Sequence, residues 1–392
     1  MIPNDLTSRL ISTAEPNRAL LKRASQVEPE SAYYLAMASH AQFEIYKSNL
    51  SYYRWKTIEQ LDKVIIAFES NAKKYGVQVS YASTVVEGQQ VIKSKVGVNE
   101  RVYISNDELC QELQLQSFAT TEKINVTRTG DGANLTIVAA AKYLIAEPAA
   151  LVIQIDSLAK NKAFSRCTKL ILVAGINDFI TNYNQYDFFF HFDRQATLNG
   201  KSSSQLKIIH LNGEPVFPIE VVLVDNGRSS LLEHPLTRQI ARCTHCGWCH
   251  SLSPVYKRLG DTKNINKTYT AIEALSQLYT LGIDTNTKLA RLHTQCYTEA
   301  IVCPVGIDIK ALFQLAAERC AEKGIGDTHK KWFQFIWKKA TLKREAFGLL
   351  KNHSRKIIMQ TVFNFMWSKK EDTPQHAPQT FNDYWKKNNN LK

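Results

Sequence analysis

At 392 residues with 44% hydrophobic content, the chain is long enough for two or three domains, each with its own core. Of the net charge of +13, residues 321–392 supply +9, from 15 Lys and Arg against 6 Asp and Glu; the basic bias belongs to a tail, and no nucleic-acid-binding surface is expected. The start Met1-Ile2-Pro3-Asn4-Asp5 is polar and no apolar run reaches the roughly 18 residues of a membrane span, which excludes secretory and membrane-spanning classes and predicts a cytoplasmic protein.

Residues 1–50 read as a polar, mainly helical segment without a chemical motif. Between Trp55 and Tyr75 the apolar positions Ile58, Leu61, Ile65, Phe68 and Ala72 recur at three- and four-residue steps, one face of an amphipathic helix that Gly76 ends. Val77 to Tyr81 alternates as a strand, Val85 to Lys93 reads as a helix, and Val102 to Ser105 is a second strand before a helix opening near Asn106-Asp107. Strands alternating with helices over short connections imply an α/β domain with a parallel, helix-covered sheet.

Two apolar runs, Ala150 to Ile155 and Lys169 to Ala174, suit interior strands of that sheet. The second leads into Gly175-Ile176-Asn177-Asp178, either a plain strand-to-helix turn or a ligand loop at a strand's carboxyl end. Val221 to Val224 is a further strand, Asn226-Gly227 a turn, and Leu236 to Ala241 a helix that delivers the chain to Cys243.

The stretch from Cys243 to Cys303 carries the chemistry. Cys243, Cys246 and Cys249 stand at two-residue gaps, and Cys303-Pro304 follows far downstream. That is the ligand spacing of a ferredoxin-type iron-sulfur site, a triplet holding three corners of a cubane and a Cys-Pro cysteine the fourth. It predicts one 4Fe-4S cluster on Cys243, Cys246, Cys249 and Cys303. A second cluster would use positions 253, 296 and 299, where Ser253 and Glu299 stand beside Cys296, so one cluster is expected to be kept and the other lost. Structural zinc, drawing on His245, His250 or His293, and a degenerate site that binds nothing are the alternatives. Gly247 gives the loop room to fold over a cluster and Trp248 a shield. Five of the eight cysteines fall in this stretch, which fits a metal site in a reducing compartment; Cys110, Cys167 and Cys320 are expected as buried small hydrophobes.

Thr268 to Leu281 reads as a helix stopped by Gly282, and Asp308 as the N-cap of a helix running to Lys323. The tail interleaves Trp332, Phe333, Phe335, Ile336 and Trp337, then Ile357, Ile358, Val362, Phe363, Phe365, Met366 and Trp367, with lysine pairs, ending at Phe381, Tyr384 and Trp385. Such helices pack on the protein's own body or on a partner subunit; peripheral membrane contact is the other reading.

VVLVDNGRSSLLEHPLTRQIARCTHCGWCHSLSPVYKRLGD from Val221, CPVGIDIKALF from Cys303 and PQTFNDYWKK near the C-terminus resemble the lactate utilisation protein B family, iron-sulfur proteins with an N-terminal LUD domain. The resemblance implies four parts: a helical segment at 1–50, a LUD-like α/β domain at 51–235, a helical ferredoxin-type 4Fe-4S domain at 236–325 and a basic, aromatic helical tail at 326–392. It implies companion subunits that together oxidise L-lactate to pyruvate, with this chain as electron carrier. The chain departs from the family at Ser253 and Glu299, and Ala146-Glu147-Pro148-Ala149-Ala150 replaces a Gly- and Thr-containing stretch of the LUD domain. It shows no nucleophile-base pair and no glycine-rich dinucleotide fingerprint, so an electron-transfer subunit is expected rather than a stand-alone enzyme. A non-enzymatic assembly component with a structural metal site is the alternative.

Overall fold

A computed structural model describes residues 41–97, 100–129, 134–190, 205–253, 271–282 and 300–323, with positions 338, 385, 387 and 388. Residues 26–317 form one compact unit; residues 1–25 and 318–392 form a second, whose described residues are 318–323 and those four positions. Apart from these, the aromatic tail lies outside the described residues, as do His293, Cys296 and Glu299.

Helices α1 (Ala41–Glu59) and α2 (Leu61–Lys74) are two elements where the periodicity predicts one, because Gln60 leaves helical backbone at φ −120°, ψ 27°. The apolar stripe of α2 is Leu61, Val64, Phe68 and Ala72, all buried. The remaining strands and helices of the α/β body are β1 (Gln78–Ala82), α3 (Val85–Lys95), β2 (Arg101–Ile104), α4 (Glu108–Glu112), α5 (Leu115–Thr121), β3 (Val126–Thr127), β4 (Leu135–Ala140), β5 (Tyr143–Glu147), β6 (Ala150–Ile155), α6 (Leu158–Ser165), β7 (Cys167–Gly175), β8 (Phe179–Asn182), β9 (Gln205–His210) and β10 (Ile219–Val224). Thr84 caps α3 by accepting the Glu87 amide at 3.2 Å, and Glu87 returns the bond by accepting from the Ser83 amide at 2.8 Å.

Six strands make a wholly parallel sheet in the order β1-β10-β7-β4-β2-β3. Alternation along the strands divides two cores. On β7, Leu170, Leu172 and Ala174 join α2 and the second sheet; Ile171 and Val173 join Ile92 of α3, Leu109 of α4 and Leu115 and Ala119 of α5. Burial on both faces explains the near-continuous apolar sequence of β7 and β10. After β3 the chain returns to the other side of β2 as β4, so the order reverses there, and carboxyl-end loops beside such a reversal are where open α/β sheets hold ligands.

The run Ala150–Ile155 belongs elsewhere than expected. As β6 it lies in a separate four-stranded sheet, β8-β5-β6-β9, antiparallel to β5 and β9. Its apolar sequence reflects burial within that packed sheet, which periodicity does not distinguish from a parallel strand. The Ala146–Ala150 stretch is the β5–β6 hairpin turn. Ala146, Ala149 and Ala150 are buried, and the carbonyls of Ala146 and Ala149 accept from Asn71 Nδ2 at 3.0 Å and the Leu211 amide at 2.9 Å.

Beyond β10 the chain makes two 3-10 turns, Arg228–Leu232 and Thr237–Arg242, where a helix is expected over Leu236 to Ala241, then α7 (Trp248–Leu252), α8 (Ala271–Thr280) and α9 (Ile309–Glu322). Asp308 caps α9, accepting the Ala311 amide at 2.9 Å. Cys110 is buried; Cys167 and Cys320 are half-buried. No helix among the described residues is long and apolar enough to cross a membrane.

Candidate metal centre

The 3-10 turn Thr237–Arg242 sets the entry to the cysteine run. Thr237 Oγ1 donates to the Leu231 carbonyl at 2.9 Å, the Arg238 guanidinium donates to the Leu232 carbonyl and to Glu59, and the Cys243 amide closes on Ile240 O at 3.1 Å. In the loop that follows, His245 and Gly247 have positive φ, 51° and 77°. This curls the main chain around Cys243, and the His245 amide donates to Cys243 Sγ at 3.4 Å. Trp248 then enters α7 with 1% exposure, its indole stacked on Phe43 at 5.5 Å.

Cys303 is arranged alike. Its sulfur accepts the Ile307 amide at 3.4 Å and is influenced by the amides of Val305 and Gly306, in a loop closed by Gly306 N to Cys303 O at 3.2 Å. The two loops are tied together, because Gln239, four residues before Cys243, accepts the Asp308 amide at 2.9 Å. Burial pushes the Cys243 thiol well up, and Cys246 and Cys303 lie close enough to add to the shift. Burial likewise raises the Cys303 thiol, against the pull of its three amides. Cys246 and Cys249 are half-buried, Cys249 as the second residue of α7.

The run sits on the carboxyl edge of the parallel sheet. Arg54 of α1, 1% exposed, donates to the carbonyls of Arg242, Ala241, Phe179 and Asn177 at 2.8 to 2.9 Å and to Cys243 O at 3.4 Å. Lys142, two residues past β4, donates to the carbonyls of Thr244 at 2.8 Å and His245 at 3.0 Å. The His245 ring is 3.4 Å from Glu108 at the start of α4 and 4.0 Å from Asp178 after β7. Burial opposes charge on both partners, but His245 and Glu108 outweigh it for each other: the imidazole is raised and the carboxyl depressed, with Glu273 and Lys142 also lowering Glu108. Gly175 to Asp178 therefore connects β7 to a strand, β8, and lies against the cysteine run.

Of the predicted ligands, Cys243, Cys246 and Cys303 are brought within electrostatic reach through Cys243. Sequence reasoning missed Arg54, Lys142 and Gln239, which hold the run. Arg54 left a signal: it falls on the apolar stripe Leu50, Ile58, Leu61 of the first two helices, where a charge has to find buried partners.

The residues present fit an iron-sulfur cubane in their donor chemistry. They offer four thiols, amides aimed at two of the sulfurs, and the buried Thr244 Oγ1 and Ser253 Oγ, which have no hydrogen-bond partner among the described residues. Among the described residues no three His, Cys, Asp or Glu side chains gather as a single-ion site. A cubane does not ask for that, since each thiolate binds a different iron.

No protein-family model matches the chain, and no curated protein matches it. Among solved structures, the crystal structure of a DUF162 family protein from Deinococcus radiodurans aligns at 16% identity over 42% of this chain and 98% of its own, with a TM-score of 0.33.

Proposed function

We propose that this chain is an iron-sulfur electron-transfer subunit, with one 4Fe-4S cluster held by Cys243, Cys246, Cys249 and Cys303. When bound, such a cluster supplies one-electron acceptance and donation, at a potential set by burial and by hydrogen bonds to sulfur. The observation that carries the reading is the pair of amide donors, His245 N on Cys243 Sγ and Ile307 N on Cys303 Sγ, in two loops that Gln239 ties together. Amides directed at thiolate sulfur stabilise negative charge there, and burial disfavours the same thiolates without a metal. The region after Cys243 is taken as a helical ferredoxin-type domain, in keeping with α7, α8 and α9.

The chain is proposed as a divergent member of the lactate utilisation protein B family, joining companion subunits that oxidise L-lactate to pyruvate. Support for that step comes from the sequence resemblance at 221–261, 303–313 and 378–387. The substrate's oxidation releases two electrons and two protons, and a carrier of single electrons leaves the carbon chemistry to a partner.

A second reading, an assembly component whose metal only staples the chain, draws support from the way Arg54 and Lys142 fasten the run to the sheet edge. Anaerobic reduction with dithionite followed by re-oxidation separates the two. Reversible appearance of a paramagnetic signal supports the carrier; iron and sulfide with no reversible redox change would leave the stapling role.

A further inference from the structure

The peptide unit between Thr244 and His245 has both ends engaged. Its carbonyl oxygen accepts from Lys142 Nζ at 2.8 Å, and its N–H donates to Cys243 Sγ at 3.4 Å. A peptide is planar, with C=O and N–H pointing opposite ways, so fixing the oxygen on a cation turns the hydrogen toward the sulfur. An ammonium on the oxygen also polarises the unit and strengthens the N–H as a donor, as in chains of hydrogen bonds. The same ammonium donates to the His245 carbonyl at 3.0 Å and lies 5.6 Å from the centre of the Tyr143 ring, which fixes its place beside the loop. Arg54 repeats the arrangement one step earlier, with its guanidinium on the carbonyls of Ala241, Arg242 and Cys243.

We infer that Lys142 is a positioning residue for the metal centre, acting on the Cys243 sulfur through the Thr244–His245 peptide and raising the reduction potential of a cluster bound there. This rests on the cluster reading above. A reduced cluster carries one more negative charge than an oxidised one, so a fixed cation and a strengthened amide donor favour the reduced form. Arg54 adds to the effect from the buried side. The device is a property of the α/β body: Lys142 is held just past β4, at the reversal of strand order, so the sheet edge itself tunes the centre.

The test compares wild type with Lys142→Met, Lys142→Gln and Lys142→Arg, each loaded anaerobically and titrated with dithionite under EPR. The expected result is a lower midpoint potential in Lys142→Met and Lys142→Gln, with Lys142→Arg close to wild type. Equal midpoints in all four loaded proteins would overturn the inference. A merely structural role would alter loading or stability in Lys142→Met without an ordered shift that Arg reverses. Failure of wild type itself to take up iron and sulfide would instead defeat the cluster reading, and a second measurement then decides on Lys142. In the metal-free chain, hydrogen exchange over residues 243–246 should quicken by roughly tenfold in Lys142→Met, as expected for losing a hydrogen bond to a charged group. Unchanged exchange would overturn the inference in that case.

Discussion

Arg228 grips Glu112 at two points, Nη1 to Oε1 at 2.9 Å and Nη2 to Oε2 at 2.7 Å, joining the loop after β10 to the end of α4. Asn226 Nδ2 donates to the same carboxylate at 2.7 Å. The pair braces the loop after β10 against α4, whose first residue, Glu108, lies 3.4 Å from the His245 ring. Burial works against the Glu112 charge, but Arg228 and Asn226 hold the carboxyl below its ordinary value of 4.5. A carboxyl depressed in the folded state binds fewer protons there than in the unfolded chain. Its contribution is therefore complete above pH 4.5 and lost as pH falls through the folded value. Arg228→Met should reduce stability by about 1–3 kcal/mol at neutral pH, with a gap that narrows below pH 4.5. Urea unfolding at neutral and acid pH checks this, and a gap independent of pH would contradict it.

Gly227 is the second brace. Its φ is +81°, and a Cβ there would fall 2.9 Å from the Thr280 carbonyl oxygen, at the end of α8. Gly227→Ala should cost about 1–3 kcal/mol, from left-handed backbone and from this clash together. Gly213→Ala, with nothing within 4 Å of its added Cβ, should be near neutral in the same thermal melts.

Lys160 of α6 is 1% exposed and lies 2.6 Å from Asp107, which also accepts from Ser105 Oγ and, at 2.8 Å, from the Ala140 amide. The pair ties α6 to the β2 and β4 ends. Lys160→Met strands the Asp107 charge and should cost about 3–5 kcal/mol. Adding Asp107→Asn should recover part of that loss, and denaturant midpoints for the two single variants and the double variant measure the coupling. A double variant as unstable as the sum of the two would show that the charges do not interact.

How far the sequence foretold this arrangement depends on range. β7 and β10 were legible because burial on both faces leaves an apolar run that few other settings produce, and the Asp308 cap was legible because capping is local. β6 reads by sequence as a strand of the parallel sheet but lies in the other one, since a buried strand of either sheet looks the same in one dimension. The cysteines proposed as ligands stand out by their spacing. The groups that hold them do not: Arg54 is 188 residues from Arg242, and Lys142 is 102 from Thr244. Only the folding of the sheet brings those pairs together, and a lysine beside a strand end carries no mark of its eventual partner. By sequence the Gly175–Asp178 loop reads as a ligand position or a plain turn. It abuts the cysteine run, through Asn177 O on Arg54 and Asp178 near His245.

The most direct test of the central claim is iron and acid-labile sulfide content after anaerobic purification, in wild type and in Cys243→Ser, Cys303→Ser and Cys296→Ser. One cluster on Cys243, Cys246, Cys249 and Cys303 predicts about four iron and four sulfide per chain in wild type and in Cys296→Ser, with loss in the other two. Zinc without sulfide, or a content that falls with Cys296→Ser and not with Cys303→Ser, would contradict the ligand assignment.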